Sequence, residues 1–342
     1  MGINELIEVR KDFIVPSRIS IISKVRGLRP KEFKYGKTVR KTPLSECPFC
    51  PGNEFKTPPA TLVVKLVGRE VLYLKDSNNE RVRDWKVRIF PNKYPALTTL
   101  GTSLNYGYHE VIVETPEHID LPYVKDLNQY VLVFKAIVKR FTDILKDPKI
   151  NHVILIKNYG PLSGASLEHP HMQFFATSFP LPYVVEEITY STKYYKDYGR
   201  CPYCELISKD LCSSRFIYSN ERFVILSARA PRSPYEVWVL PKKHERSFIN
   251  ITDEEIRYLV DALQKILKAY EKCLGNPSFN LWLHTSPKKL SKSDDYVYHW
   301  HIEISPILTT WGGFEKGSGT YIIPVSPEKA GEYLKKCISE LI

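Results

Sequence analysis

Asn158-Tyr159-Gly160-Pro161-Leu162-Ser163-Gly164-Ala165-Ser166 and, after two intervening residues, His169-Pro170-His171-Met172-Gln173 connect the apolar segment Val153-Ile154-Leu155-Ile156 to Phe174-Phe175-Ala176. Both flanks are rich in β-branched and aromatic residues, so the pattern is a strand, a Gly/Ser turn and a second strand entered through histidines. Residues two apart in a strand share a face, which puts His169, His171 and Gln173 on one side and Pro170 and Met172 on the other. Two imidazoles and an amide beside a loop of backbone N–H donors suit work on a phosphate, because imidazole attacks phosphorus while the loop holds oxygens. A lone histidine would be read as a hydrogen-bonded core residue; this cluster is not.

Composition sets the outer limits. A chain of 342 residues, 43% hydrophobic and 25% charged, is long enough for two globular domains. No apolar run approaches ~18 residues and none follows a basic start, so neither a membrane span nor a signal peptide is expected, and the cytoplasm is the expected compartment. Seven cysteines, four of them in two Cys-x-x-Cys pairs, favour metal ligation over a disulfide framework. Glutamine occurs only at positions 129, 173 and 264, and lysine, arginine and glutamate abound, which is a thermophile's composition. The net charge of +11 would suit an anionic partner. Because the basic residues are interleaved with acids outside the stretch from Lys24 to Lys41, nucleic acid is not the expected one.

Further along, the chain repeats its own plan. Cys201-Pro202-Tyr203-Cys204 answers Cys47-Pro48-Phe49-Cys50, and the strand 236–241 leading to His244 answers 110–114 leading to His118. A helix with Leu127, Val131, Phe134, Val138, Phe141 and Leu145 on one face is answered by one with Ile256, Leu259, Leu263, Ile266 and Tyr270, opened by a capping box at Thr252 and Glu255. Strand 279–284 leading to His299-Trp300-His301 answers strand 152–157 and His169-Pro170-His171. The expected fold class is therefore α+β: two tandem domains, 1–190 and 191–342, each an antiparallel sheet with packed helices. Only the first copy keeps the Gly/Ser loop and the glutamine, so the chemistry is placed there. Strands are also expected within 9–23 and at 320–325, with a last helix from Pro327 capped by Ser326.

Five blocks, Arg26-Gly27-Leu28-Arg29-Pro30, Cys47 to Glu54, Pro91 to Leu97, Glu114 to His118 and Gly164 to Gln173, resemble those of the galactose-1-phosphate uridylyltransferase family, in its order. That family is the transferase branch of the histidine-triad superfamily, and the resemblance covers most of the chain. It implies two histidine-triad-like domains and a homodimer. It also implies a double displacement in which His171 attacks the α-phosphorus of UDP-glucose, expels glucose 1-phosphate and passes the uridylyl group to galactose 1-phosphate. Ser166 and Gln173 are implied to assist. Asn92, Asn158 and Gly164 are carried over as nucleotide contacts, Arg26 and Arg29 as sugar-phosphate contacts, and Phe314 and Glu315 as hexose contacts. An amide at Gln173, where histidine-triad hydrolases have a histidine, suits a sugar-phosphate leaving group that needs no proton.

A Cys-x-x-Cys knuckle gives zinc two ligands from one turn, and histidines complete a tetrahedral set. By the repeat the sets are Cys47, Cys50, His118 and His169, then Cys201, Cys204, His244 and His299, so two zinc ions per chain are expected. His109 is the alternative to His118, set aside on the family pattern. The bacterial members' second metal site, which takes iron, resembles Glu187, His284, His299 and His301; the softer Cys201 and Cys204 favour zinc instead. The same cysteine pair resembles ADP-glucose phosphorylase, which keeps an adenylyl donor with phosphate as acceptor open as an alternative. A zinc-knuckle nucleic-acid binder is the remaining reading, and it leaves the His-Pro-His-Met-Gln strand unexplained.

Overall fold

The computed structural model describes residues 7–24, 26, 42–102, 104–289 and 297–341. The alternating segments of the first half become β3 (Leu62–Val67), β4 (Glu70–Leu74), β5 (Trp85–Pro91), β6 (Gly107–Val113), β7 (His152–Tyr159) and β8 (His171–Thr177). Those of the second become β9 (Phe216–Ser219), β10 (Phe223–Ser227), β11 (Val237–Pro241), β12 (Phe279–His284) and β13 (His301–Pro306). All eleven belong to one antiparallel sheet in the order β4-β3-β5-β6-β8-β7-β12-β13-β11-β10-β9. Outward from the β7–β12 seam the two directions match: a strand, the His-x-His strand, then the strand that leads to a further histidine. The two repeats are thus halves of a continuous sheet, joined where Leu155 to Tyr159 pair with Leu283 to Phe279. The expected boundary at 190/191 falls inside a helix, α2 (Pro182–Tyr198).

One face of the sheet carries the two long helices. α1 (Leu127–Ile144) starts at Asp126, whose carboxylate accepts the Asn128 N–H, and α4 (Asp253–Cys273) has the capping box, with Thr252 and Glu255 each accepting the other's backbone N–H. Their apolar stripes, including Phe134 and Phe141 of α1 and Leu259, Leu263 and Ile266 of α4, bury against Leu155, Met172, Phe174, Leu281 and Ile302 in one core. Each fully buried side chain of this kind contributes roughly 1.5–3 kcal/mol, so this face supplies most of the fold's apolar burial.

The opposite face holds the polar side chains, because residues paired across a sheet share a side. His171 and Gln173 stand beside Ile156, then Trp282 and His284, then His301 and Glu303, then Trp238. Over the second half this face is covered. Its cover is α2, α3 (Pro202–Asp210) and a three-stranded sheet in which β1 (Ile7–Lys11) pairs antiparallel with β2 (Ile19–Ser23), and β14 (Thr320–Ile323) runs parallel to β2. Of the stretch 9–23 expected to hold strands, Phe13 to Val15 is not strand: the Asp12 carboxylate accepts the Ile14 and Val15 N–H groups and turns the chain.

α5 (Gly313–Ser318) and α6 (Pro327–Leu341) complete the chain. Cys273 and Cys337 form a disulfide between α4 and α6, a single bridge beside the two Cys-x-x-Cys pairs for which metal ligation is expected. Among the described residues no helix is long and apolar enough to cross a membrane.

Candidate active site and metal centres

The Gly/Ser turn after β7 is shaped by backbone that only glycine takes easily. Gly160 and Gly164 have φ of 79° and 88°, and a Cβ on Gly160 would lie 2.4 Å from Ser278 Oγ. Asn280 Nδ2 donates to Asn158 Oδ1 (2.7 Å) and to the Ser163 carbonyl (2.9 Å), which ties the turn to the second half of the sheet. The result is a cleft of about 130 Å³ whose lining includes Asn158, Gly160, Ala165, Ser166, His169 and His171.

At the cleft, His171 Nδ1 lies 2.8 Å from the His169 carbonyl, an acceptor, so Nδ1 carries the proton and Nε2 the lone pair. Phe49 packs on the ring at 5.2 Å. Burial, with the Lys157 ammonium nearby, holds its pKa down to about 4, so the imidazole is neutral and nucleophilic near pH 7. Lys157 itself is buried in an ion pair with Glu114 at 2.5 Å. Two residues on, Gln173 Oε1 faces His109 Nε2 (2.8 Å) and Asn92 Nδ2 (3.2 Å).

His169, two residues before β8, lines the cleft and commits both ring nitrogens elsewhere. Its Nε2 donates to the Thr115 carbonyl (2.8 Å), which leaves Nδ1 turned to Cys47 Sγ and Cys50 Sγ, both at 3.7 Å. His118 Nδ1 is 3.1 Å from Cys50 Sγ, and its Nε2 meets Glu168 (3.1 Å). The second knuckle repeats this arrangement: His299 Nε2 donates to the Pro241 carbonyl (2.8 Å), and Nδ1 of His299 and of His244 lie 3.7 and 3.5 Å from Cys204 Sγ. All four donor atoms of each set lie within 4.8 Å of one another. Zinc bonds of about 2.3 Å to sulfur and 2.1 Å to nitrogen in a tetrahedron set sulfur and nitrogen about 3.6 Å apart, which these sets match. Burial pushes Cys50 up to about 12, whereas the hydrogen bond from Cys201 draws Cys204 down to about 3. One thiol of each pair thus keeps a proton that a cation would release.

A third buried group, Glu187, His284, His301 and Glu303, departs from the iron-type set read in the sequence, because His299 has gone to the cysteines. His301 Nε2 contacts Glu303 (3.3 Å), His284 Nδ1 contacts Glu187 (3.0 Å), and Arg18 bridges Glu303 (3.2 Å) and Glu187 (3.5 Å). Arg232 pairs with both Glu303 and Glu236. Cation-binding capacity here is met by guanidinium groups.

Not all carried-over residues meet in the cleft. Arg26 is exposed and Arg29 lies outside the described residues. Phe314 and Glu315 sit on α5, where Phe314 is half-exposed and Glu315 accepts the Gly312 N–H; neither lines the His171 cleft of its own chain. Their neighbours Trp311, Lys316 and Tyr321 instead line a second cavity of about 630 Å³ with Trp282 and Arg232. Sequence reasoning missed Glu168, Thr115, Arg18 and Arg232. Only Glu168, adjacent to a motif histidine, carried a local signal.

A sheet with His-x-His strands, an imidazole in a Gly/Ser cleft and two Cys₂His₂ sets fit the nucleotidyltransferase class. Family models agree half by half: one described as "Scavenger mRNA decapping enzyme C-term binding" matches residues 200–306, and a "Domain of unknown function (DUF4931) N-terminal domain" matches 86–178. ADP-glucose phosphorylase of Arabidopsis thaliana is 31% identical over 97% of this chain and 93% of its own. Galactose-1-phosphate uridylyltransferase of Thermotoga maritima is 27% identical over 77% and 88%. Among solved structures, the Arabidopsis ADP-glucose phosphorylase with bound ADP-glucose superposes at a TM-score of 0.83 (30% identity, 96% of this chain, 99% of that one). A uridylyltransferase structure superposes at 0.75 (25% identity, 98% and 99%). The chain belongs to the galactose-1-phosphate uridylyltransferase family, which includes ADP-glucose phosphorylase.

Proposed function

We propose that this enzyme transfers the nucleotidyl group of a nucleoside-diphosphate hexose by double displacement through a nucleotidyl-His171 intermediate. The observation that carries the reading is the hydrogen bond from His171 Nδ1 to the His169 carbonyl, which aims the unprotonated Nε2 into the cleft. Nε2 attacks the α-phosphorus, the bond from phosphorus to the bridging oxygen breaks, and hexose 1-phosphate leaves. An oxygen of the acceptor then attacks the phosphoramidate and restores the neutral imidazole. The carbonyl bonded to Nδ1 stabilises the positive ring while the adduct stands. Ser166, Asn158 and Gly164 hold the phosphate oxygens, and Gln173 offers an amide where no proton is needed. The two Cys₂His₂ sets would hold two zinc ions, which would supply rigidity where His169 and His299 lead into β8 and β13.

For the donor, the likeness to ADP-glucose phosphorylase over nearly the whole chain, together with Cys201 and Cys204, supports an ADP-hexose with inorganic phosphate as acceptor. Uridylyl transfer from UDP-glucose to galactose 1-phosphate, the reading the sequence motifs favoured, is supported by the Thermotoga relative and stands second. The test incubates the protein separately with ADP-glucose and UDP-glucose and reads intact mass. An acid-labile adduct of AMP mapping to His171, discharged by phosphate, supports the first; a UMP adduct discharged by galactose 1-phosphate supports the second. No adduct with either rejects the covalent route.

A further inference from the structure

We propose that His109 is a positioning residue for Gln173: with Asn92 it fixes which end of the Gln173 amide is offered to the transferred phosphoryl group. The inference rests on the nucleotidyl transfer at His171 proposed above.

His109 stands on β6 directly opposite Phe175 and stacks on that ring at 4.0 Å and 19°, so its plane is set by packing. The proton is set by the turn that follows β5. Ala96 N–H, which can only donate, lies 3.1 Å from Nδ1; Nδ1 therefore accepts, and the ring's single proton sits on Nε2. Nε2–H then donates to Gln173 Oε1 at 2.8 Å. Asn92 is oriented by the same turn, since its Oδ1 accepts the Tyr94 N–H at 2.9 Å, which leaves Nδ2 to donate to the same Gln173 oxygen at 3.2 Å. Burial favours the neutral ring that this arrangement needs.

Two donors converge on one carbonyl oxygen, His109 Nε2 and Asn92 Nδ2 lying 3.1 Å from each other as they do so. The end left over is Gln173 Nε2 with two N–H groups, on the face of β8 that carries His171. Reversed, the amide would point a partial negative oxygen at an anionic phosphoryl group. Backbone amides of Tyr94 and Ala96 thus dictate, through two side chains, the polarity of a third.

The test uses the zinc-loaded protein with ¹⁵N in glutamine side chains, of which there are three, at 129, 173 and 264. The Gln173 amide pair is assigned by its loss in Gln173→Glu. His109→Phe keeps the stack on Phe175 but removes the N–H. In it the Gln173 signals should shift and merge, and nucleotidyl-His171 formation should slow about 100-fold, with donor affinity unchanged. His109→Gln returns an N–H near the position of Nε2 and should restore both the signals and most of the rate, which a purely structural loss would not permit. Should His109→Phe fail to fold, Asn92→Ala removes the second donor and is read by the Gln173 signals and by the rate of adduct formation at saturating donor. Unmoved Gln173 signals in the donor-less variant, or moved signals with an unchanged rate, overturn the proposal. If the wild-type protein forms no adduct, the transfer reading fails, while the amide signals still decide whether His109 orients Gln173.

Discussion

His171 and His301 occupy equivalent places on two strands of one sheet, and their outcomes are opposite. Each donates its Nδ1 proton to the carbonyl two residues earlier, at 2.8 and 3.0 Å. Beyond that point the halves diverge. His171 is followed by Gln173 and opens to a cleft, whereas the Nε2 of His301 contacts Glu303 and its ring lies under Trp238 at 5.1 Å. One carboxylate in the place of an amide converts an imidazole available for attack into a member of a buried ion cluster. The fold supplies the geometry twice; the third residue and the cover decide whether chemistry happens.

The widest separation between the halves is expected from removing each histidine. His171→Gly should lose adduct formation and turnover on the order of 10⁴-fold or more, as removal of a nucleophile does. It should keep its zinc, because His169 and not His171 faces the cysteines. His301→Gly should form the adduct and lose thermal stability. Metal analysis, adduct mass and melting temperature read all three effects, and loss of zinc in His171→Gly would reverse the roles given to the two histidines.

Next is Arg18, which bridges Glu187 and Glu303. Arg18→Ala leaves Glu187 and Glu303 buried with one cation fewer and should cost about 3–5 kcal/mol in denaturant unfolding. Acid probes the same cluster. Burial alone would raise the Glu187 carboxyl, but His284 and His301 hold it down to about 2 from an ordinary 4.5. Its contribution to stability is therefore fully present above pH 4.5 and is lost as the pH falls toward 2. Melting temperature against pH should fall across that window in the wild type and less steeply in Glu187→Gln; equal slopes would remove Glu187 from the account.

The smallest difference is expected at the metal. Cys201→Ser with Cys204→Ser should release one zinc of two and lower the melting temperature by roughly 5 °C, while adduct formation at His171 continues. Loss of both ions, or of the adduct, would mean that the second knuckle serves the first half directly.

Much of this was legible because it lies in short-range patterns. The knuckle spacing, the His-x-His pairs and the order of the blocks bring Cys47, Cys50, His118 and His169 together, and likewise Cys201, Cys204, His244 and His299, as the repeat indicated. The stripes of α1 and α4 and the Thr252 capping box were equally local. What could not be read depends on contacts between residues far apart in the chain. Arg18 meets Glu303 across 285 positions, and Cys273 meets Cys337 across 64 with no spacing that marks a pair. α2 escaped notice because its polar sequence buries few residues, Glu187 among them. Glu303 was visible at the place of Gln173 in the repeat, but its meaning depended on Arg18 and Arg232.

The seam between β7 and β12 bears on ancestry. Two separate identical chains that shared a sheet across a twofold axis would carry the same residue at both equivalent positions, so any change near one histidine would strike its copy as well. Placing both positions on one polypeptide, with Leu155 to Tyr159 hydrogen-bonded to Leu283 to Phe279, removes that constraint. Each copy then drifts alone, and an inherited symmetry is free to become a division of labour.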